Sequence, residues 1–166
     1  NLKAISTFSV GFDHIDVEFA KKRGIKIGYT PELLTNATAE LTIGLIFDLL
    51  RRITEGDRVI RQKKWNQIFG AHDYTGVEIE SKTIGIFGMG RIGRKVTEKA
   101  NGLGMNVIYH SRKRLSKSLE NRLKCKFVTE NVLFQKSDII SLHVPYTKKT
   151  HHLMNSKIFK KMKDTS

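Results

Sequence analysis

The residues best suited to chemistry in this chain fall in two short runs. The first, Gly88-Met89-Gly90-Arg91-Ile92-Gly93, has the spacing G-x-G-x-x-G. Between a strand and a helix, such a run gives a tight turn at Gly88, backbone N–H groups that approach a pyrophosphate at Gly90, and close helix packing at Gly93. The helix N-terminus adds partial positive charge at the same point. A chain with 13 glycines can also place three at these offsets with no ligand involved, so the flanks decide. They read as required, with strand-like Thr83 to Phe87 before the run and helix-like Arg91 to Leu103 after it.

The second run is Ser111-Arg112-Lys113-Arg114, directly after strand-like Asn106 to His110. In a dinucleotide site a carboxylate about 20 residues beyond the glycines would bind the ribose 2′-hydroxyl of NAD. No acidic residue occurs between Glu98 and Glu120. A hydroxyl with a fork of guanidinium donors suits a dianionic 2′-phosphate, so NADP(H) is expected over NAD. A solvent-facing basic turn is the plain alternative.

The elements that must position these runs follow from periodicity and punctuation. Leu2 to Val10 reads as a strand ending at Gly11, Asp13 to Lys22 as a helix with Ile15, Phe19 and Ala20 on its apolar face, and Ile25 to Tyr29 as a strand. A β-α-β unit of this kind implies a parallel sheet. From Asn36, apolar Ala39, Ile43, Ile46, Leu50 and Ile53 recur at helical spacing and predict one helix to about Trp65, capped by Thr35 or Asn36. Residues 66–82 are polar and irregular, with Gly70, Asp73 and Gly76. Beyond His110, helices are expected at Leu115 to Leu123, Glu130 to Gln135 and, weakly, Asn155 to Met162, with strands at Lys126 to Val128 and Asp138 to Val144. Strand alternating with helix is the doubly wound α/β pattern.

Composition bounds the partners. The 166 residues carry 30 Lys plus Arg against 16 Asp plus Glu, a net charge of +14. The basic residues are dispersed and lack interleaved aromatics, which favours a solvated surface with local anion sites over a nucleic-acid platform. A single cysteine, Cys125, excludes a disulfide framework or a multi-thiolate zinc cluster and fits a reducing, cytoplasmic setting. The apolar run Leu41 to Leu50 is broken by Thr42, Gly44 and Asp48, well short of the ~20 residues that span a bilayer. No metal site and no membrane partner are expected. Beginning at Asn1 with a strand-like run, the chain reads as an internal piece of a longer protein.

The runs Ser9-Val10-Gly11-Phe12-Asp13-His14-Ile15-Asp16, Thr38-Ala39-Glu40, the glycine turn, and Ser137 to Pro145 followed by Thr150 resemble the D-isomer-specific 2-hydroxyacid dehydrogenase family. Gly28-Tyr29-Thr30-Pro31 and Tyr109 to Arg112 are similar to its glyoxylate/hydroxypyruvate reductase branch. The resemblance implies a Rossmann-type NAD(P)-binding domain at 66–166, truncated after its fourth strand. A connector helix at 33–65 and a remnant of a flavodoxin-like substrate domain at 1–32 would precede it. It further implies that the backbone at Val10 and Gly11 holds a substrate carboxylate, that Gly90, Arg91 and Ile92 touch the pyrophosphate, and that Arg112 to Leu115 meet the adenosine phosphate. Pro145 would line the coenzyme and Thr38 would face it.

Family members reduce small 2-oxo acids by hydride transfer from the nicotinamide, with an Arg fixing the carboxylate and a His, oriented by a Glu, supplying the proton. Those three residues are expected outside these 166, so the piece alone is expected to be inactive, with the last strand an exposed apolar edge. His143 is expected to be a satisfied core residue, His151-His152 an exposed turn, Asp13 a helix cap, and Cys125, Tyr109 and Trp65 packing residues. Leu41, Leu45 and Leu49 fit either a homodimer face or a buried helix. A dinucleotide-sensing corepressor or scaffold on the same fold is the alternative; it would be expected to prefer NAD and to carry an acidic residue after the second strand.

Overall fold

The structure, a computed structural model, describes residues 1–65, 70 and 74–166. Of the stretch expected to be irregular after Trp65, residues 66–69 and 71–73, Asp73 among them, lie outside the described residues. The core is a four-stranded parallel sheet of β3 (Thr83–Phe87), β4 (Asn106–His110), β5 (Cys125–Phe127) and β6 (Ile139–Leu142). Its spatial order is β5-β4-β3-β6. The chain steps outward from β3 through β4 to β5, then returns to the other side of β3. This reversal opens a crevice at the carboxyl ends of the strands, where doubly wound sheets bind ligands.

Burial explains the strands. Ile84 and Ile86 are fully buried on one face of β3, while Phe87 packs on the other against Leu133, Phe134 and Ile158. A strand covered on both faces reads as a continuous apolar run, which is why β3 and β4 fall where the sequence predicts. The first face is closed by α4 (Arg91–Gly102) through Val96 and Ala100, and by α2 (Thr35–Arg51) through Ala39 and Ile46. Burying each large aliphatic or aromatic side chain contributes about 1.5–3 kcal/mol. Glu40 of α2 also pairs with Lys99 of α4 at 3.1 Å.

The remaining elements are shorter or differently placed than expected. β1 is only Ala4–Ser6 and β2 only Lys26–Gly28, and they pair in parallel. α1 begins at Val17 and is capped by Asp16, whose carboxylate accepts from Phe19 N–H at 2.9 Å; Asp13 is not the cap. Phe19, expected on the inner face, is exposed and stacks under Arg23, leaving Ala20 as the buried contact.

The long helix expected from Asn36 to Trp65 is two helices, α2 and α3 (Ile53–Arg61). Arg52 takes a left-handed conformation at φ 54° between them. Asp48 holds the break by accepting from Thr54 N–H at 2.6 Å and from its hydroxyl at 2.9 Å, while Arg52 grips Glu55. Neither Thr35 nor Asn36 caps α2; Leu34 stands at the N-cap and Thr35 opens the helix. Trp65 lies beyond α3, exposed, with Tyr74 6.1 Å away.

α5 (Lys117–Arg122) and α6 (Glu130–Lys136) start after caps by Ser116 and Thr129. The last expected helix shrinks to α7 (Ser156–Phe159), with Asn155 as its cap. Within the described sheet, β6 pairs only with β3 and forms an outer strand, and Leu142 is exposed. Among the described residues no helix is long and apolar enough to cross a membrane.

Candidate functional site

A cleft of about 580 Å³ lies over the carboxyl ends of β3, β4 and β6. Phe87, Gly88, Met89 and Gly90 form its floor, His110 to Ser116 one wall, and His143 to Pro145 the other. The floor is fixed by backbone. Gly88 N–H donates to His110 carbonyl at 2.8 Å and His143 N–H donates to Phe87 carbonyl at 2.8 Å, joining three strand ends.

Gly88 sits at φ 102°, a conformation L side chains rarely adopt, and a Cβ there would overlap the His143 carbonyl oxygen and lie 2.7 Å from Val144 Cγ1. A Cβ at Gly93 would overlap the Gly88 carbonyl oxygen, so this glycine sets how closely α4 meets the turn. Gly90 differs from both. Its backbone is ordinary and extended (φ −77°, ψ −161°), and nothing lies within 4 Å of where its Cβ would stand. Among the described residues no neighbour requires glycine here, and the open space leaves room for a group seated on the helix end.

That helix end is prepared for an anion. Gly90 is the N-cap of α4, no side chain caps it, and its first turn holds no acidic residue. Its first N–H groups therefore point outward with the positive end of the helix dipole behind them. Free donors, helix polarity and open space at Gly90 together fit a pyrophosphate, and the cleft has the size of a nucleotide-type site.

Of the residues expected to bind the coenzyme, Gly88, Gly90, Ser111, Arg112, Lys113, Arg114, Leu115 and Pro145 line the cleft. Arg91, Ile92 and Gly93 form the first turn of α4 beside it, with Ile92 packed toward the core and Arg91 3.7 Å from Glu32. Thr38 lies on α2 off the cleft, and its hydroxyl donates to Leu34 carbonyl at 2.7 Å. Val10 and Gly11 lie in the loop after β1, also off it.

The four basic-turn residues are not equivalent. Arg114 donates to both oxygens of Glu120, at 2.8 and 2.9 Å, and lies over the Phe127 ring. Glu120 is 2 % exposed and also accepts from the Tyr109 hydroxyl at 2.8 Å. Arg114 hydrogen bonds hold the Glu120 carboxyl down to about 2 against the opposing effect of burial. Burial, with the Glu120 charge adding to it, pushes the Tyr109 phenol up to about 12 and the Cys125 thiol up to about 11. The thiol therefore stays protonated, as befits a packing residue.

Sequence reasoning missed three features of the cleft. His143 follows the end of β6 instead of lying within the strand, lines the cleft half-buried, and shares a 2.8 Å hydrogen bond with Ser141. Burial holds its pKa below the ordinary 6.5, so the ring is neutral near neutral pH. Glu130, at the start of α6, and Thr147, after Pro145, also face the cleft. The signal that could have found them is position alone, since residues just past parallel strands line such crevices. His151 and His152 form the expected exposed turn, their rings stacked at 3.8 Å, with His151 bonded to the Tyr146 hydroxyl.

Comparison with known proteins agrees with this geometry. Residues 43–166 match the family model described as D-isomer specific 2-hydroxyacid dehydrogenase, NAD binding domain. The glyoxylate reductase of Thermofilum pendens is 43% identical over 166 residues, covering 100% of this chain and 49% of that protein. The crystal structure of a glyoxylate reductase from Paecilomyes thermophila superposes with a TM-score of 0.86 at 38% identity, over 98% of this chain and 48% of that one. A D-lactate dehydrogenase from Aquifex aeolicus, complexed with NAD and lactic acid, gives a TM-score of 0.86 at 35% identity, over 98% and 47%. The chain spans about half the length of the curated relatives it matches.

Proposed function

The chain belongs to the D-isomer-specific 2-hydroxyacid dehydrogenase family, and from that premise we propose that it is the coenzyme-binding part of an NADP(H)-dependent reductase of small 2-oxo acids, glyoxylate or hydroxypyruvate being the expected substrates. The observation that carries this reading is Gly90, a glycine in ordinary backbone with open space above it at an uncapped helix end. The bound coenzyme would supply a hydride to the carbonyl carbon of the 2-oxo acid.

This chain's own residues bind and orient. Gly88 keeps the turn low, and the first N–H groups of α4 offer donors to the pyrophosphate. Ser111, Arg112 and Lys113 offer a hydroxyl and two cations to a 2′-phosphate, with no carboxylate among them to accept from a free 2′-hydroxyl. Pro145 and Leu115 supply apolar surface to the adenosine. Val10 and Gly11 would hold the substrate carboxylate through backbone N–H groups. Turnover would need the Arg, Glu and His that the family uses for the carboxylate and the proton, none of which we assign within these 166 residues. Self-association would use α2, where Leu41, Leu45 and Leu49 are all exposed along one stripe.

Calorimetric titration of the chain with NADPH and NADH tests the reading. NADPH is expected to bind at least about tenfold more tightly, a difference of about 1.4 kcal/mol. Equal affinity would remove the 2′-phosphate assignment, and no binding of either would remove the site. Oxidation of NADPH by glyoxylate or hydroxypyruvate, followed with the protein at its full natural length, tests the substrate class.

A further inference from the structure

The basic turn holds three cations, yet they differ in what they are free to do. Arg114 is doubly bonded to a carboxylate that is itself 2 % exposed. That carboxylate, Glu120, is also met by the Tyr109 hydroxyl at 2.8 Å, with the Lys117 ammonium 3.7 Å away. The Tyr109 oxygen in turn accepts from Leu115 N–H at 2.9 Å. The second half of the turn is thus tied to the protein interior through one buried acid. The first half is not, since the side chains of Ser111, Arg112 and Lys113 make no hydrogen bond or ion pair with the described residues while lining the cleft.

Resting on the NADP(H) reading above, we propose that Glu120 sets the strength of the 2′-phosphate site: it withdraws Arg114 as a strut, so that Arg112 and Lys113, with Ser111, read the extra phosphate. Three cations would hold that phosphate more tightly than two. A buried carboxylate that spends one of them on the fold limits the affinity and fixes the direction in which the other two approach. A bidentate pair whose guanidinium lies over the Phe127 ring constrains the guanidinium plane, although the Arg114 side chain itself is 56 % exposed. The ordinary carboxylate–arginine exchange with solvent is suppressed because Glu120 has almost no access to water.

The test is calorimetric titration of the folded chain with 2′,5′-ADP and with 5′-AMP, which differ only in the 2′-phosphate. In the unaltered chain 2′,5′-ADP is expected to bind about tenfold or more tightly; if it does not, the NADP(H) reading fails and the present inference falls with it. Glu120→Gln keeps an acceptor for Tyr109 while releasing the Arg114 charge, so affinity for 2′,5′-ADP should rise about three- to tenfold with 5′-AMP unchanged. A purely structural role for Glu120 could only lower both. The double variant Glu120→Gln/Arg114→Ala removes both partners and leaves no unpaired buried charge; its preference should return to within about threefold of the unaltered chain. Arg112→Ala should lose the preference. If Glu120→Gln binds 2′,5′-ADP no better, or if the double variant loses the preference as fully as Arg112→Ala, Arg114 reads the phosphate directly and the inference is overturned. Circular dichroism of each variant identifies any that has failed to fold; in that event Glu120→Asp, which keeps the charge on a shorter arm, should show the gain in smaller measure, and an unchanged or lower preference there would equally overturn the inference.

Discussion

The two runs that form the cleft do so by opposite means. At Gly88 to Gly93 the absence of side chains is the working feature, because strand ends and a helix end share one small volume, on which the proposed coenzyme would sit. At Ser111 to Leu115 the side chains are the working feature, and the backbone is held by a tyrosine and a buried acid behind it. The first suits what all dinucleotides share, the pyrophosphate. The second suits what distinguishes one dinucleotide from another. A substitution in the first run should therefore affect folding or all binding alike, and one in the second should affect selectivity.

The sharpest way to break this contrast is Gly88→Ala. A positive φ costs roughly 1 kcal/mol without glycine, and overpacking against His143 and Val144 adds roughly 1–3 kcal/mol. A loss of about 2–4 kcal/mol is expected in urea unfolding, and a loss under about 1 kcal/mol would mean that the turn is softer than described. Gly90→Ala should do the reverse. With open space around it, stability should stay within about 0.5–1 kcal/mol, the ordinary range of propensity changes, while NADPH and NADH affinities both drop about tenfold or more. Unaltered affinities would show that no ligand approaches there.

Arg112→Ala sharpens the other side. Losing a hydrogen bond to a charged group costs about 1.5–3 kcal/mol, so NADPH should weaken roughly 10- to 100-fold while NADH stays constant; parallel weakening of both would place Arg112 on a shared phosphate. The smallest effect concerns acid. Glu120 has a carboxyl held at about 2 in place of the ordinary 4.5, so its contribution to stability is complete above about 4.5 and is lost as pH falls toward 2. Between those limits Glu120→Gln should flatten the fall of unfolding free energy with decreasing pH, and equal slopes would show that the carboxylate is not tied as described.

How much of this was legible in the sequence depends on what each segment packs against. β3 and β4 were readable to the residue because they are apolar, short, and bounded by glycine or a charged turn. The break at Arg52 was not, because one left-handed residue lets apolar spacing continue from Leu50 to Ile53 without showing where the axis turns. Asp48 and Thr54, six residues apart, carry the real cap, a pairing that helical periodicity hides. Apolar neighbours alone place His143 inside a strand; its place past the strand end follows from pairing with β3, which runs only to Phe87 and Leu142.

By itself the sequence determined that a parallel α/β sheet carries a glycine turn and a basic turn at successive strand ends, because those depend on local backbone freedom and on charge type. Only the tertiary structure decided which of the basic residues is paired with a buried acid. Glu120 lies six residues beyond Arg114 and eleven beyond Tyr109, and nothing in the linear order says that the three meet at one buried carboxylate. Burial makes that meeting consequential, since a carboxylate removed from solvent must be satisfied by the cations and hydroxyls around it, here Arg114 and Tyr109.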